Sequence, residues 1–327
     1  RMGRLDMSKP ASGVMSFLKR FRNKGKNGGE KKPAGEAQMR MLRSLPKILK
    51  YIPGTAQDLR VFFLSLQYWL SGSKDNIYSL LCMLMLKYLK KEQTLQKLSE
   101  MCNPPKEYPD IGVYHPKMEG KISREAGGLP CIVPEKNKKG TVGLIVLRSY
   151  LLAGNTGHYD GVIAALESLN LQVIPCFSMG LDARPAIDKF FYSKGEKNID
   201  ALISLTGFSL VGGPAYNDSD AAKQTLGKLD VPYISASPLE FQSLDDWEKS
   251  SAGLLPVENT IMVAIPELDG AISPIVFGGR RVSGAKENVS LTGVDNHKEK
   301  AQLDRNMTFS TERVSLLARR VFKLINL

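Results

Sequence analysis

The sequence of 327 residues contains few of the short motifs that announce a reaction. Its four cysteines, Cys82, Cys102, Cys131 and Cys176, form no C-x-x-C pair and have no adjacent histidine. This pattern argues against a zinc site or a disulfide framework and favours a reducing compartment. The H-E-x-x-H motif of zinc hydrolases and the Gly-x-Ser-x-Gly elbow of serine hydrolases are also missing, so neither class is indicated.

Long apolar runs are also missing. VFFLSLQYWL (61–70) and IYSLLCMLML (77–86) are each about ten residues long, and SGSKDN separates them, whereas a membrane-spanning helix needs about 20 apolar residues. We therefore expect two buried helices joined by a tight turn and no transmembrane span, which leaves peripheral membrane contact open. No signal peptide is recognisable after the first residue, an arginine.

Acidic residues are scarce in the first hundred positions, where 20 Lys and Arg face 7 Asp and Glu, against 25 and 26 in the remainder. The block KRFRNKGKNGGEKK (19–32) is typical of a mobile, solvated segment, here taken as residues 1–37. An electrostatic docking site for an acidic partner or a membrane surface is the alternative. No interleaved aromatic platform supports nucleic-acid binding.

The patterns divide the rest of the chain into four regions. Residues 38–100 have helical periodicity, 101–139 form a proline-rich connector, 140–304 form an α/β domain, and 305–327 form a helix leading into a continuation that the sequence does not include. Within 140–304, TVGLIVLRS, LQVIPCFSM, IDALISLTGF, VPYISASP and TIMVAIPEL are strand-like runs that alternate with helical patterns. The predicted fold is an open, mainly parallel Rossmann-like or flavodoxin-like sheet preceded by a small helical region.

The third strand-like run continues into a glycine-rich turn, ALISLTGFSLVGGPAYNDSDAA (201–222). The turn contains no Lys or Arg, Pro214 removes an amide donor, and Asp218 and Asp220 would repel an anion, so a nucleotide site is not indicated. Gly212 and Gly213 are expected to adopt backbone angles that other residues avoid. Asn217, Asp218 or Ser219 is expected to cap the following helix.

The segment RSYLLAGNTGHYDG (148–161) lies at the carboxyl end of the first strand-like run, and YLLAGNTGHY (150–159) within it is expected to form a loop. Arg148 at the end of the run can hold a carboxylate, with His158 in the loop as a proton donor or acceptor near neutral pH. The alternative is that Arg148 pairs with a local acid and His158 caps the next helix.

The fifth run ends in IPELDG (265–270). Glu267 and Asp269 at i and i+2 of an extended backbone would point the same way, which suits a hard cation or proton transfer. An ordinary acidic turn before Gly270 is the alternative.

Several longer blocks carry a family resemblance: SLPKILKYIPGTAQDLRVFFLSLQYWLSGSKDNI, GHYDGVIAALESLNLQVIPCF, ALISLTGFSLVGGPA, KLDVPYISASPLEFQSLDDW and VAIPELDGAISPIVFGGR. Together, from roughly residue 40 to residue 325, they closely resemble the large porphyrin-binding (H) subunits of the magnesium chelatase family. The related cobaltochelatase large subunits share the Arg-ending strand, the A-G-N-T loop and the P-E-x-D-G turn, while LSLQYWLSGSKDN and GFSLVGGPA are closer to the magnesium enzymes.

This resemblance implies insertion of Mg²⁺, as a substrate, into protoporphyrin IX in chlorophyll biosynthesis. ATP would be hydrolysed by two partner subunits, one an AAA+ motor, and this chain would bind no cofactor or metal of its own. The location would be the plastid stroma in a eukaryote or the cytoplasm in a bacterium. The resemblance also implies that catalytic residues lie beyond Leu327, so that the chain alone is expected to be inactive.

Residues that match the family's motifs are the candidate site. The substrate-binding candidates are Arg148, His158, Thr206, Phe208, Glu267 and Asp269, and the structural turn is Gly212, Gly213 and Pro214. We expect Arg148 to bind a porphyrin propionate and Phe208 to form an apolar wall. Two other functions stay open, a non-catalytic small-molecule-binding α/β module and a cobaltochelatase-type large subunit.

Overall fold

A computed structural model of the protein describes residues 44–54, 56–88, 99–213, 215–283 and 302–326, with side chains omitted at 302–305. The basic segment 1–37 and Pro214 lie outside the described residues. The chain divides into two compact units, Arg1–Gln67 and Tyr68–Leu327. In the first unit, residues 44–49 are helical and bury Leu45 and Leu49. The side-chain amide of Gln57 donates a 2.9 Å hydrogen bond to the carbonyl of Leu49.

The two apolar runs form helices, as expected. Helix α1 is Ala56–Ser71 and helix α2 is Lys74–Tyr88, and Gly72 between them has a φ of +57°. Helix α2 buries Leu80 and Cys82 but leaves Leu81 and Tyr88 exposed, so the expectation of buried helices holds for one side only. Among the described residues, no helix has both the length and the apolarity needed to cross a membrane.

The second unit contains a sheet of eight strands. They are β1 (Ile111–Tyr114), β2 (Ile122–Ser123), β3 (Gly140–Ile145), β4 (Leu171–Ser178), β7 (Ala201–Ser204), β10 (Tyr233–Leu239), β11 (Ile272–Ser283) and β12 (Gln302–Phe309). Two small hairpins accompany the sheet, β5 (Tyr192–Ser193) with β6 (Glu196–Lys197), and β8 (Gly212–Gly213) with β9 (Tyr216–Asn217). The order across the sheet is β12-β11-β10-β7-β3-β4-β1-β2.

The five central strands β4-β3-β7-β10-β11 are parallel. Numbered by their order along the chain, they run 2-1-3-4-5, which is the flavodoxin-like order. The predicted fold class is therefore confirmed. The remaining strands β1, β2 and β12 pair antiparallel at the two sides, so the proline-rich connector and the segment before the last helix both contribute to the sheet.

The helices of the second unit lie between or after these strands. They are α3 (Arg148–Ala153), α4 (Gly157–Ser168), α5 (Arg184–Phe190), α6 (Ser219–Leu229), α7 (Leu244–Lys249), α8 (Pro256–Asn259), α9 (Ile265–Asp269) and α10 (Thr311–Ile325). The segment Thr260–Ala264 between α8 and α9 is a π-helix, so residues 256–269 form one continuous helix.

The prediction for TIMVAIPEL is wrong, because this run is helical and the fifth parallel strand is β11, which begins at Ile272. A short apolar run does not distinguish a strand from a buried helix, and Pro266 lies within the continuous helix, just after its π-helical segment. Arg148 was likewise expected at the end of a strand and YLLAGNTGHY in a loop, yet Arg148–Ala153 forms the helix α3, which ends at Gly154 in the left-handed conformation.

The sheet has an apolar core on each face. On one face, α4 and α10 pack through Ile163, Leu166, Leu317 and Val321. On the other, α5 and α6 pack through Ile187, Phe190, Ala222 and Leu229. We call these the α4 face and the α6 face. Because both faces are covered, the central strands are apolar almost throughout, as expected of a parallel sheet.

Candidate ligand-binding site at the carboxyl edge of the sheet

The topology selects one place for a ligand. In an open parallel sheet, ligands bind beyond the carboxyl ends of the strands where the strand order reverses, which here is between β3 and β7. A cleft lies at this point, between the residues that follow β3 and the turn that follows β7. Its volume is only about 20 Å³, which is enough for one water molecule but not for a porphyrin.

Hydroxyl groups and apolar side chains line this cleft. Ser178, Ser204, Thr206 and Ser209 supply the hydroxyls, and no charged side chain belongs to the described lining. The hydroxyl oxygens of Ser204 and Thr206 lie 3.0 Å apart, and the amide of Phe208 donates to the Thr206 hydroxyl at 3.2 Å. Thr206 and Phe208 therefore both contact the cleft, while the Thr206 hydroxyl is partly engaged in fixing its own turn.

Asp269 stabilises the turn that follows β7. Its carboxylate is buried and accepts hydrogen bonds from the Ser209 hydroxyl at 2.6 Å and from the Leu210 amide at 2.8 Å. The other oxygen of the Asp269 carboxylate is buried without a hydrogen-bond partner among the described residues. Burial and the negative charge of Asp269 both raise the pKa of Tyr233. The carboxylate thus ties the end of α9 to the turn after β7.

Glu267 does not join Asp269, contrary to the expectation of an extended acidic pair. Both residues belong to α9, Glu267 is exposed and Asp269 is buried, so their side chains point to different surroundings. The i, i+2 argument requires a strand, and the helix removes its basis. Among the described residues, no group of three or more His, Cys, Asp and Glu is placed to hold a metal ion.

The turn residues have distinct structural roles. Gly212 has a φ of +113°, and a Cβ there would overlap the carbonyl oxygen of Tyr216. Gly213 has no positive φ, so that part of the expectation is wrong, but a Cβ there would overlap the side chain of Leu181. Asp218 caps α6 by accepting from the Ala221 amide at 3.0 Å. Pro214, which follows Gly213, lies outside the described residues.

Arg148 lies at the same edge of the sheet but is occupied by the connector. Its guanidinium Nε donates to the Pro109 carbonyl at 2.9 Å, and a terminal nitrogen donates to the Tyr108 carbonyl at 3.4 Å. The side chain is half-buried in the first turn of α3. In this structure it holds backbone carbonyls, and its predicted contact with a propionate stays a prediction.

His158 is fully buried on the α4 face, in the first turn of α4. Its ring lies 3.8 Å from that of Tyr159, 5.0 Å from that of Tyr150 and 5.9 Å from that of Phe277, centre to centre. Neither ring nitrogen has a hydrogen-bond partner among the described residues. Burial lowers the pKa of His158 to about 3, which does not fit the expected proton transfer near neutral pH.

Tyr150 of this aromatic cluster forms a polar contact that the sequence analysis did not predict. The Tyr150 hydroxyl donates a short hydrogen bond to Glu240, which directly follows β10. Burial, followed by the bond to Glu240, raises the pKa of Tyr150. Arg280 of β11 opposes this shift, because its charge and its hydrogen bond lower the pKa of Tyr150. In the sequence, Tyr150 and Glu240 have in common only that each follows a parallel strand. The strand topology was therefore the one signal that could have linked them.

Comparison with known proteins shows to which family the chain belongs. Residues 66–327 match the family described as CobN/Magnesium Chelatase, and residues 1–63 match a domain of unknown function. A curated relative, the magnesium-chelatase H subunit of Cereibacter sphaeroides, is 48% identical over 99% of this chain and 26% of its own length. The chloroplastic magnesium-chelatase ChlH protein of Oryza sativa subsp. indica is 37% identical over 86% of this chain and 20% of its own length.

A solved structure shares the fold. The catalytic subunit of cobaltochelatase from Mycobacterium tuberculosis superposes with a TM-score of 0.52 at 20% identity, covering 79% of this chain and 19% of that chain. The chain spans about a quarter of the length of the curated relatives it matches. With the match over residues 66–327 and the identity to magnesium-chelatase H subunits, the chain belongs to the CobN/Magnesium Chelatase family.

Proposed function

We propose that this chain is a scaffold and substrate-docking part of the porphyrin-binding subunit of a magnesium chelatase. In that enzyme Mg²⁺ is a substrate that is inserted into protoporphyrin IX on the way to chlorophyll, and two partner subunits, one an AAA+ motor, hydrolyse ATP. The observation that carries the proposal is the 48% identity to a magnesium-chelatase H subunit along nearly the whole chain. A bacterial cytoplasm or a plastid stroma suits both groups of relatives.

The geometry supports a scaffold rather than a reaction centre. The cleft at the switch point is lined by hydroxyls and apolar side chains, and the Asp269 carboxylate accepts its two hydrogen bonds from Ser209 and Leu210 of the loop that forms the cleft. His158 is enclosed by aromatic rings. These side chains stabilise the carboxyl edge of the sheet, and the residues that handle the metal are assigned to other parts of the enzyme.

A chimera tests the proposal. The matching quarter of the Cereibacter sphaeroides H subunit is replaced by this chain, and the chimera is mixed with that enzyme's partner subunits, ATP, Mg²⁺ and deuteroporphyrin IX. We expect Mg-deuteroporphyrin to form, detected by its fluorescence, at a rate within about tenfold of the unaltered enzyme.

The control is the same chimera without ATP, which is expected to bind porphyrin without inserting the metal. A folded chimera that binds deuteroporphyrin but never forms the magnesium product would contradict the proposal. Insertion of Co²⁺ in place of Mg²⁺ would favour a cobaltochelatase-type subunit instead.

A further inference from the structure

A depression larger than the cleft lies beside β11, and none of the residues that line the cleft belongs to its lining. Its volume is about 330 Å³, more than ten times that of the cleft. We call it the Trp247 groove and define it by Trp247, Leu254, Met262, Ile275, Arg313 and Arg320, which are among its lining residues. A second depression of about 420 Å³ adjoins it and shares Trp247 and Arg313.

The walls of the Trp247 groove are mostly apolar. Leu254 comes from the loop after α7, Met262 from the π-helical segment and Ile275 from β11. The indole of Trp247 is half-buried at the boundary between the two depressions. Such a surface suits a flat apolar ligand, because apolar and aromatic walls supply most of the contact in ligand sites.

Two cations complete the groove. Arg313 and Arg320 are seven residues apart on α10, so their Cα atoms lie on nearly the same side of the helix, about 10 Å apart along its axis. The guanidinium of Arg313 lies 4.9 Å from the centre of the Trp247 ring. Neither arginine forms an ion pair with a described residue, whereas Arg184 pairs with Asp182 and Arg281 with Asp245.

The charges around the groove are asymmetric. Among the described residues, no carboxylate lines the Trp247 groove itself, while Glu248 and Glu312 line the adjoining depression. A ligand with carboxylates is therefore attracted to the side of Arg320 and Met262 and repelled from the side of Glu312. Arginine is suited to this role because its planar guanidinium binds a carboxylate through two hydrogen bonds and also lies flat on aromatic rings.

We propose that the Trp247 groove binds the carboxylate-bearing edge of the porphyrin substrate. Arg313 and Arg320 bind its two carboxylates, and Trp247, Met262 and Ile275 contact the apolar ring. This inference rests on the proposed function for the identity of the ligand, and on the groove for its position. It replaces Phe208 as the aromatic wall, since the cleft that Phe208 lines holds about 20 Å³. It replaces Arg148 as the place for a propionate, since the Arg148 guanidinium donates to the Pro109 and Tyr108 carbonyls.

The test uses the 327-residue chain with Trp69→Phe, which leaves Trp247 as the only tryptophan. Deuteroporphyrin IX is titrated and the quenching of Trp247 fluorescence is followed. We expect weak but saturable quenching, a Kd about tenfold higher in Arg313→Gln and in Arg320→Gln, and a larger loss in the double variant. The dimethyl ester of deuteroporphyrin is expected to bind the parent chain as weakly as the free acid binds the double variant.

The matched control is Arg319→Gln. Arg319 is exposed on the same helix, next to Arg320, but does not line the groove, so its Kd is expected to equal that of the parent. Circular dichroism and the Tm of each variant show whether α10 remains folded. Equal Kd values for all three single variants, or for the acid and its ester, would overturn the proposal.

Two further outcomes separate this inference from the proposed function. In the chimera, the double variant is expected to raise KM for deuteroporphyrin with little change in kcat. An active chimera with an unchanged KM would overturn the groove assignment and leave the proposed function standing. Displacement of the porphyrin by hexaglutamate at similar concentrations would make the groove a site for acidic polypeptide and would also overturn the assignment.

Discussion

Two buried polar side chains, Asp269 on the α6 face and His158 on the α4 face, have opposite surroundings. On the α6 face, Asp269 is buried but receives two hydrogen bonds from the turn after β7. On the α4 face, His158 is equally buried but lies among the rings of Tyr150, Tyr159 and Phe277 and has no hydrogen-bond partner among the described residues. A carboxylate that stays charged needs donors when it is buried, whereas an imidazole can lose its proton and persist as a neutral ring.

The largest loss of stability is expected from removing the Asp269 carboxylate. Asp269→Ala leaves the Ser209 hydroxyl and the Leu210 amide as buried donors without their acceptor. We expect the free energy of unfolding to fall by about 3 kcal/mol, measured by urea denaturation.

Asp269→Asn is the matched control, because the amide keeps one acceptor oxygen, and its loss is expected to be smaller. Equal losses for the two variants would show that charge, rather than the acceptor, stabilises the turn.

Two helical glycines, buried Gly161 of α4 and exposed Gly227 of α6, also differ in their surroundings. A Cβ at Gly161 of α4 would overlap the ring of Phe309, whereas one at Gly227 of α6 would meet nothing within 4 Å. We expect Gly161→Ala to lower the free energy of unfolding by about 2 kcal/mol. Gly227→Ala is expected to raise it by about 0.5 kcal/mol, since alanine favours the helix. Thermal unfolding of both variants provides the measurement, and two changes of the same sign would contradict this difference.

The stability that His158 contributes is expected to depend on pH. Since the pKa of folded His158 is about 3 and that of an unfolded histidine about 6.5, the unfolded chain binds an extra proton between these values. Stability contributed by His158 is therefore fully present above pH 6.5 and is lost as pH falls toward 3, by at most about 1.4 kcal/mol per pH unit.

His158→Phe removes this dependence and leaves an aromatic ring among Tyr150, Tyr159 and Phe277. Near pH 7 we expect it to be at least as stable as the parent, because no buried nitrogen is left unpaired. Urea denaturation from pH 4.5 to 7.5 measures the difference between the two proteins. Parallel stability curves for parent and variant would argue against the low pKa.

The smallest effect is expected at the rim of the α7 region. Arg281 lies 2.6 Å from Asp245 and 3.3 Å from Glu248, and all three side chains are partly exposed. Arg281→Gln is expected to cost less than about 1 kcal/mol, and less at high salt. Urea denaturation in 0.05 M and 1 M NaCl measures both. A loss as large as that of Asp269→Ala would mean that the exposed pair matters as much as the buried carboxylate.

The sequence predicted much of this architecture but less of the site. Four of the five parallel strands followed from short apolar runs, and Asp218 was among the expected helix caps. The fifth strand was misplaced because TIMVAIPEL and ISPIVFGG are both short and apolar, and only pairing with β10 identifies the strand. Arg148 and His158 were chosen for their chemistry, but the sequence could not show that one binds the Tyr108 and Pro109 carbonyls and the other lies among aromatic rings.

The family, the fold class and the lack of a phosphate-binding charge in the turn after β7 could be read from the amino-acid sequence, because they depend on local residue types and on long blocks of resemblance. Which side chains lie next to one another could be seen only in the folded protein. Trp247, Met262, Arg313 and Arg320 are separated by up to 73 positions in the sequence yet line one groove. They come together because the helices α7 and α10 both pack against β11, and no local pattern in the sequence records this packing.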